Sequence, residues 1–154
     1  MPRLSRWFVR TAFVYLLIGF SIGGLILSAK AGMVDARVWV WLLPHADLLV
    51  VGWLIQMAMG VAYWILPRIR EAGRGRVGLA WAAYILLNCG LGLGAGLALL
   101  DYWFPAGGWM SRTFIPGLLV QAIALCLFVV YAWPRVLPTI TASDWKRKTE
   151  APRR

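Results

Sequence analysis

Four apolar runs, each long enough to cross a bilayer, constrain this chain more than any other feature. They cover roughly residues 11–29, 39–66, 77–100 and 114–136. A hydrocarbon core of about 30 Å needs about 20 residues at a rise of about 1.5 Å each. In lipid every backbone N–H and C=O must find its partner within the protein, which leaves helices or closed barrels. The runs show no period-two alternation, so the pattern predicts helices. The second run is the longest, and tilt or projection past the bilayer follows from that. The expected fold class is an all-α integral membrane four-helix bundle, a single membrane domain over residues 1–154.

Composition agrees with a chain solvated by lipid. Hydrophobic residues make up 61% and charged residues 14%, where a soluble domain carries about 25% charged. The net charge of +10 would suggest nucleic acid in a soluble protein. Here the basic residues lie between and beyond the apolar runs and report topology instead, so no nucleic-acid partner is expected.

Arg3, Arg6 and Arg10 precede the first run, and Arg68, Arg70, Arg74 and Arg76 separate the second from the third. Arg135, Lys146, Arg147, Lys148, Arg153 and Arg154 follow the last. The other two connections hold only Lys30 and Arg37 against Asp35, and Arg112 against Asp101. The positive-inside rule then puts both termini in the cytoplasm, with residues 137–154 a basic cytoplasmic tail anchored by charge. MPRLSRWFVR resembles the basic leader of a signal peptide. The apolar stretch from Thr11 to Leu27 exceeds the usual signal core of about 7–15 residues, so a retained helix is expected.

His45 is the only histidine, and it stands inside the outward end of the second run. Its helical face reads His45, Leu49, Gly52, Gln56, Gly60 and Tyr63, polar or small at nearly every turn. Such a face suits another helix or a flat ligand rather than lipid. Intramembrane ionisable residues mark functional sites, and neutral imidazole is a common ligand of haem iron. A histidine that only hydrogen-bonds across a helix interface explains the same residue equally well. Asp47 lies about 200° round the helix from His45, and so faces the outer interface, an arginine such as Arg37 or Arg112, or a neighbouring chain.

Cys89 and Cys126 lie within apolar runs without CxxC or Cys/His spacing, and read as packed residues. Gly19 and Gly23, and the glycines of GLGLGAG at 90–96, form GxxxG pairs that mark close helix packing. Trp39, Trp41, Tyr63, Trp64, Tyr102 and Trp103 fit interfacial aromatic belts, and those at the outer end equally fit a haem edge.

The segment DARVWVWLLPHADLLVVGWLIQMAMGVAYWILPR resembles the second helix of the catalytic subunit of the haem–copper oxidase and nitric oxide reductase superfamily. Arg37, His45, Gly52, Trp53, Gly60, Ala62, Tyr63, Trp64 and Pro67 carry the likeness. It covers about a fifth of the chain, roughly 30 of 154 residues. In that family the corresponding histidine is an axial ligand of the low-spin haem near the outer face. The resemblance thus implies haem b held by His45, with Gly52 admitting the macrocycle and Arg37 beside the propionates.

The family's further histidines, which hold copper or non-haem iron and the high-spin haem, have no counterpart. An autonomous oxygen- or nitric-oxide-reducing centre is excluded on ligand count. What remains is a b-type haem protein moving electrons in a bacterial cytoplasmic membrane, beside a respiratory-chain redox partner. A bis-histidine haem needs a second chain, either in a two-fold dimer or in a trimer that mimics the family's three helical arcs. Met33 or Met110, in the outward connections, would be the alternative sixth ligand. Met57 and Met59 stand about 18 Å or more down the same helix, out of reach. A five-coordinate haem on His45 alone would bind gases. The alternative to haem is an accessory or assembly subunit of a respiratory complex that keeps the helix as a packing surface. Quinol oxidation with Asp47 or Gln56 taking protons is a third reading. The absence of CxxCH argues against covalent haem attachment.

Overall fold

The computed structural model describes residues 1–67, 76–104 and 110–136, the last group with side chains from Phe114 onwards. The expectations for the basic connection at 68–75 and the tail at 137–154 fall outside those residues. Four helices form: α1 (Arg3–Lys30), α2 (Ala36–Ile65), α3 (Val77–Trp103) and α4 (Met110–Val136). All four are long and apolar enough to cross a membrane.

Helix α1 begins at Arg3 rather than near Thr11, because the basic, apolar-flanked leader RLSRWFVR is itself a good helix former. Pro2 stands at its N-cap, where a missing N–H removes no helical bond, and its carbonyl accepts from Arg6 N at 3.2 Å. The helix ends in a Schellman motif. Gly32 takes φ +75°, Gly32 N donates to Ala29 O, and Met33 N donates to Ser28 O. Only glycine adopts that backbone without a Cβ penalty.

Helix α2 is continuous but not uniformly α-helical, which its hydropathy does not reveal. A 3-10 stretch (Ala36–Trp41) opens it, capped by Asp35, whose side chain accepts from Arg37 N at 2.8 Å. One α-helical turn and a half (Leu42–Asp47) follows, with Pro44 buried inside it. Then comes a π-helical stretch (Leu48–Ile55), and an α-helical segment (Gln56–Ile65) completes the helix. The winding is tight before His45 and loose after Asp47. π turns are rare and collect at functional sites.

The bundle is two helical hairpins, α1 with α2 and α3 with α4. In the second, backbone meets backbone. A Cβ on Gly117 would stand 2.9 Å from Gly90 O, and one on Gly90 2.8 Å from Gly117 O. Gly92 and Gly96, the other GxxxG pair on α3, face open space. Packing therefore uses one of the two glycine registers that the sequence offers.

The hairpins join through an aromatic cluster: Phe8 on Tyr84 and Phe128, Tyr63 stacked on Tyr131 at 5.6 Å. At each end an arginine closes the bundle onto orphan helix carbonyls. Arg37, from the start of α2, donates to Tyr102 O at the end of α3 and lies over the Tyr102 ring. Arg135, near the end of α4, is 2% exposed and donates to Pro67 O, Leu66 O and the Tyr131 hydroxyl.

Candidate functional site

The imidazole of His45 is seated on α1. Its Nδ1 lies 2.9 Å from Gly19 O, and Cε1 would stand 2.7 Å from a Cβ on Gly23. A carbonyl oxygen only accepts, so Nδ1 carries a proton in this hydrogen bond, and in the neutral imidazole the lone pair is then on Nε2. Nε2 has no hydrogen-bond partner among the described residues. Gly19 and Gly23 precede Lys30 by eleven and seven residues, so the ring sits about 10–16 Å below that charge at helical rise.

The polar stripe below His45 runs along the same seam. Leu49 fills the notch at Gly19, and Tyr15 fills the notch at Gly52. Gln56 Nε2 donates to Thr11 Oγ1 and Phe8 O, and Ser5 Oγ donates to Gly60 O at 2.7 Å. Only Tyr63 leaves the seam, turning to Tyr131 on α4. The stripe faces protein and not lipid, with Gln56 0% exposed and Tyr63 3%.

Two of the residues expected beside a haem have partners within the chain. A Cβ at Gly52 would stand 2.9 Å from Tyr15 Cγ, so the close approach there is made by Tyr15. The guanidinium of Arg37 is directed to Tyr102 rather than to the His45 face. Asp47 also differs from expectation. Within the chain it is paired not with Arg37 but with α4, accepting from Gln121 Nε2 at 2.7 Å; the side chain of Arg112 lies outside the described residues. The rotation between His45 and Asp47 thus splits two polar groups on one helical turn between two neighbours, α1 and α4.

Of the methionines considered as ligands, Met33 is 80% exposed beyond α1, Met59 is in the core, and Met110 has no described side chain. Cys89 and Cys126 are free and exposed. Among the described residues no three of His, Cys, Asp or Glu cluster to hold a metal ion. His45 is the one imidazole that these residues present to an iron.

Sequence reasoning missed how His45 is held and what Asp47 touches. The GxxxG pair of α1 carried the first signal, since Gly19 and Gly23 lie at the depth of His45. Gln121, an isolated amide in the fourth apolar run, carried the second. The π-helical stretch has no signal in LLVVGWLI, where every face is apolar.

Comparisons with family models, curated proteins and solved structures find no match to this chain. The likeness of α2 to the oxidase helix accordingly enters below as a proposal.

Proposed function

We propose that this chain is a b-type haem protein of a bacterial cytoplasmic membrane, with both termini inside, that carries electrons near the outer face. His45 Nε2 is the axial ligand. The supporting observation is the Nδ1 contact with Gly19 O beside an Nε2 without a partner. A metal-bound histidine almost always donates its other ring N–H to a carbonyl, carboxylate or water, which fixes the tautomer and raises ligand basicity. Gly23 leaves the space that this ring orientation needs.

Haem, when bound, supplies one-electron exchange between ferric and ferrous iron. The chain's own part is to orient the imidazole, with Gly19 O restraining Nδ1 and Gly23 admitting the ring. The second axial ligand is proposed to come from another copy, in a dimer or trimer with haem between protomers. A bis-histidine haem needs a second imidazole, and His45 is the one histidine of the sequence. Gly52 contributes indirectly, by admitting Tyr15 and closing the α1–α2 seam. Arg37 keeps its place as a propionate partner only through donors not used on Tyr102.

The accessory-subunit reading is favoured by that same engagement of Arg37 and Gly52 within the chain, and by the fact that His45–Gly19 is also a sound interhelical hydrogen bond. A dithionite-reduced minus oxidised spectrum of the detergent-purified protein, with haem per chain and His45→Ala alongside, separates the two. Sharp low-spin bands that vanish in His45→Ala are the expected result. Colourless protein from cells amply supplied with haem overturns the haem reading and leaves the packing histidine.

A further inference from the structure

The first turns of α1 carry three arginines that neither the packing of the bundle nor the proposed haem site uses. Arg3, Arg6 and Arg10 are exposed, and their side chains make no hydrogen bond or ion pair among the described residues. With Trp7 they fall in an arc of about 100° on one side of the helix, at 3.6 residues per turn. The opposite side of the same turns is buried at Leu4, Ser5 and Phe8. Ser5 Oγ donates to Gly60 O, and Phe8 packs on Tyr84 and Phe128. The arginines thus stand at fixed spacing on a docked helix, turned directly away from the bundle.

Their depth follows from the rest of α1. Arg10 and Lys30 are twenty residues apart with no charged residue between them. That is about 30 Å at helical rise, the thickness of a hydrocarbon core. Arg10 therefore marks one hydrocarbon boundary, Arg6 lies about 6 Å beyond it in the headgroup layer, and Arg3 about 10 Å beyond it. The described carboxylates, Asp35, Asp47 and Asp101, all lie toward the other end of the bundle, so none of them neutralises these cations. A phosphate fits the vacancy in charge. Arg6 and Arg10 are one turn apart, with Cβ atoms about 5–6 Å from each other, and guanidinium groups grip phosphate oxygens in pairs. Val14 and Leu17, 52% and 71% exposed, continue the same face toward the bilayer centre.

We infer that the Arg3–Arg10 face of α1 binds one anionic phospholipid, with Arg6 and Arg10 on its phosphate and its acyl chains along Val14 and Leu17. Trp7, 50% exposed, sits at the level of the head, where indole rings are favoured. A zwitterionic lipid brings its own cation into the field of the three arginines, so the net charge of the head decides the preference. The inference uses no part of the His45 site and holds whether or not that residue carries haem.

The test is native mass spectrometry of the full chain, released from micelles that hold equal amounts of phosphatidylglycerol and phosphatidylcholine with identical acyl chains. One phosphatidylglycerol should be retained at least about fivefold over phosphatidylcholine, the factor that one arginine near a charged surface contributes. Arg6→Gln combined with Arg10→Gln should remove most of that preference. Both positions are exposed and glutamine is as good a helix former as arginine, so the fold is kept. Arg76→Gln, at an exposed arginine that opens α3 at the same end, should leave the preference within about twofold. Lipid is added to purified protein, so effects of these charges on insertion in the cell stay out of the readout. Equal retention of the two lipids, or an undiminished preference in the double variant, overturns the inference. So does a loss from Arg76→Gln as large as that from Arg6→Gln alone, which would show a diffuse field in place of a site.

Discussion

The two hairpins solve the same packing problem differently. Between α3 and α4, glycine faces glycine, and the backbones themselves are in contact at Gly90 and Gly117. Between α1 and α2, each glycine receives a side chain: Gly19 takes Leu49, Gly23 takes His45, Gly52 takes Tyr15 and Gly60 takes Phe8. The second seam also carries Ser5, Thr11, His45 and Gln56 in hydrogen bonds. The α3–α4 seam adds side chains to its backbone contact, with Gln121 against Gly90 and Phe114 against Gly94. The α1–α2 seam carries more polar groups and the π-helical winding, and the haem proposal rests on one of those groups, His45.

The largest expected effect breaks the glycine-on-glycine seam. Gly117→Ala drives a methyl into the Gly90 carbonyl, a backbone atom that cannot swing aside. We expect about 3 kcal/mol of destabilisation, the upper range for overpacking, read as loss of the folded state in detergent unfolding titrations. Gly92→Ala is the internal control. Its Cβ meets nothing within 4 Å, so stability should change by less than about 0.5 kcal/mol. Equal costs at the two positions would mean that α3 packs in the other register.

Next come the arginines that close the two ends. Arg135 is almost fully buried and serves two carbonyls and a hydroxyl. Arg135→Ala removes the donor to the Pro67 and Leu66 carbonyls and should cost about 3 kcal/mol, as when one partner of a buried charged contact is removed. Arg37 is exposed, and water can replace its bond to Tyr102 O, so Arg37→Ala should cost no more than about 1 kcal/mol. Chemical unfolding of the two variants side by side checks the ranking. A larger loss at Arg37 would show that the His45 end is the more tightly fastened.

Gly23→Ala addresses the seat of His45. A Cβ there would stand 2.7 Å from Cε1, so the ring must tilt away from Gly19 O. The stability cost should be about 1 kcal/mol, one interhelical hydrogen bond. Under the haem reading, affinity should also fall about 10–100-fold, the usual cost of losing the hydrogen bond that orients a metal-bound imidazole, with shifted absorption bands. A stability change without any spectral change would favour the packing histidine.

How much of this was legible in the sequence differs between the hairpins in the same way. Helix number and type follow from hydropathy, because a window of about 20 apolar residues admits little else in lipid. Its edges were less legible. The hydropathy of residues 11–29 marks the lipid-facing part of α1, whereas the helix starts at Arg3, since charge ends a window without ending a helix. The polar stripe on α2 was readable because period 3.6 survives on average, even across the π-helical stretch. Partners from distant segments were not: Gln121 is 74 residues from Asp47, and nothing local to either residue names the other. The roles foreseen for Gly52 and Arg37 rested on the likeness of one helix, and the chain's own α1 and α3 supply the contacts that such a likeness omits.

The smallest expected effect lies at Gln56, in the middle of the α1–α2 seam. Its side chain is fully buried, Nε2 donates to Thr11 and Phe8 O, and Oε1 has no partner among the described residues. Replacing a half-satisfied amide by an apolar side chain of similar size gives up the donated bonds and also relieves the unpaired oxygen, two terms of about 1–2 kcal/mol with opposite sign. Gln56→Leu should therefore change stability by less than about 1 kcal/mol, measured in the same unfolding titrations. Gln56→Glu, which buries a carboxylate in place of the amide, should cost several times more. A near-neutral leucine variant would show that the seam does not depend on the Gln56 amide, and would narrow the question of polar function to His45. A loss of about 2 kcal/mol or more would show instead that the amide organises the seam, and that the polarity of α1–α2 is structural along its whole length.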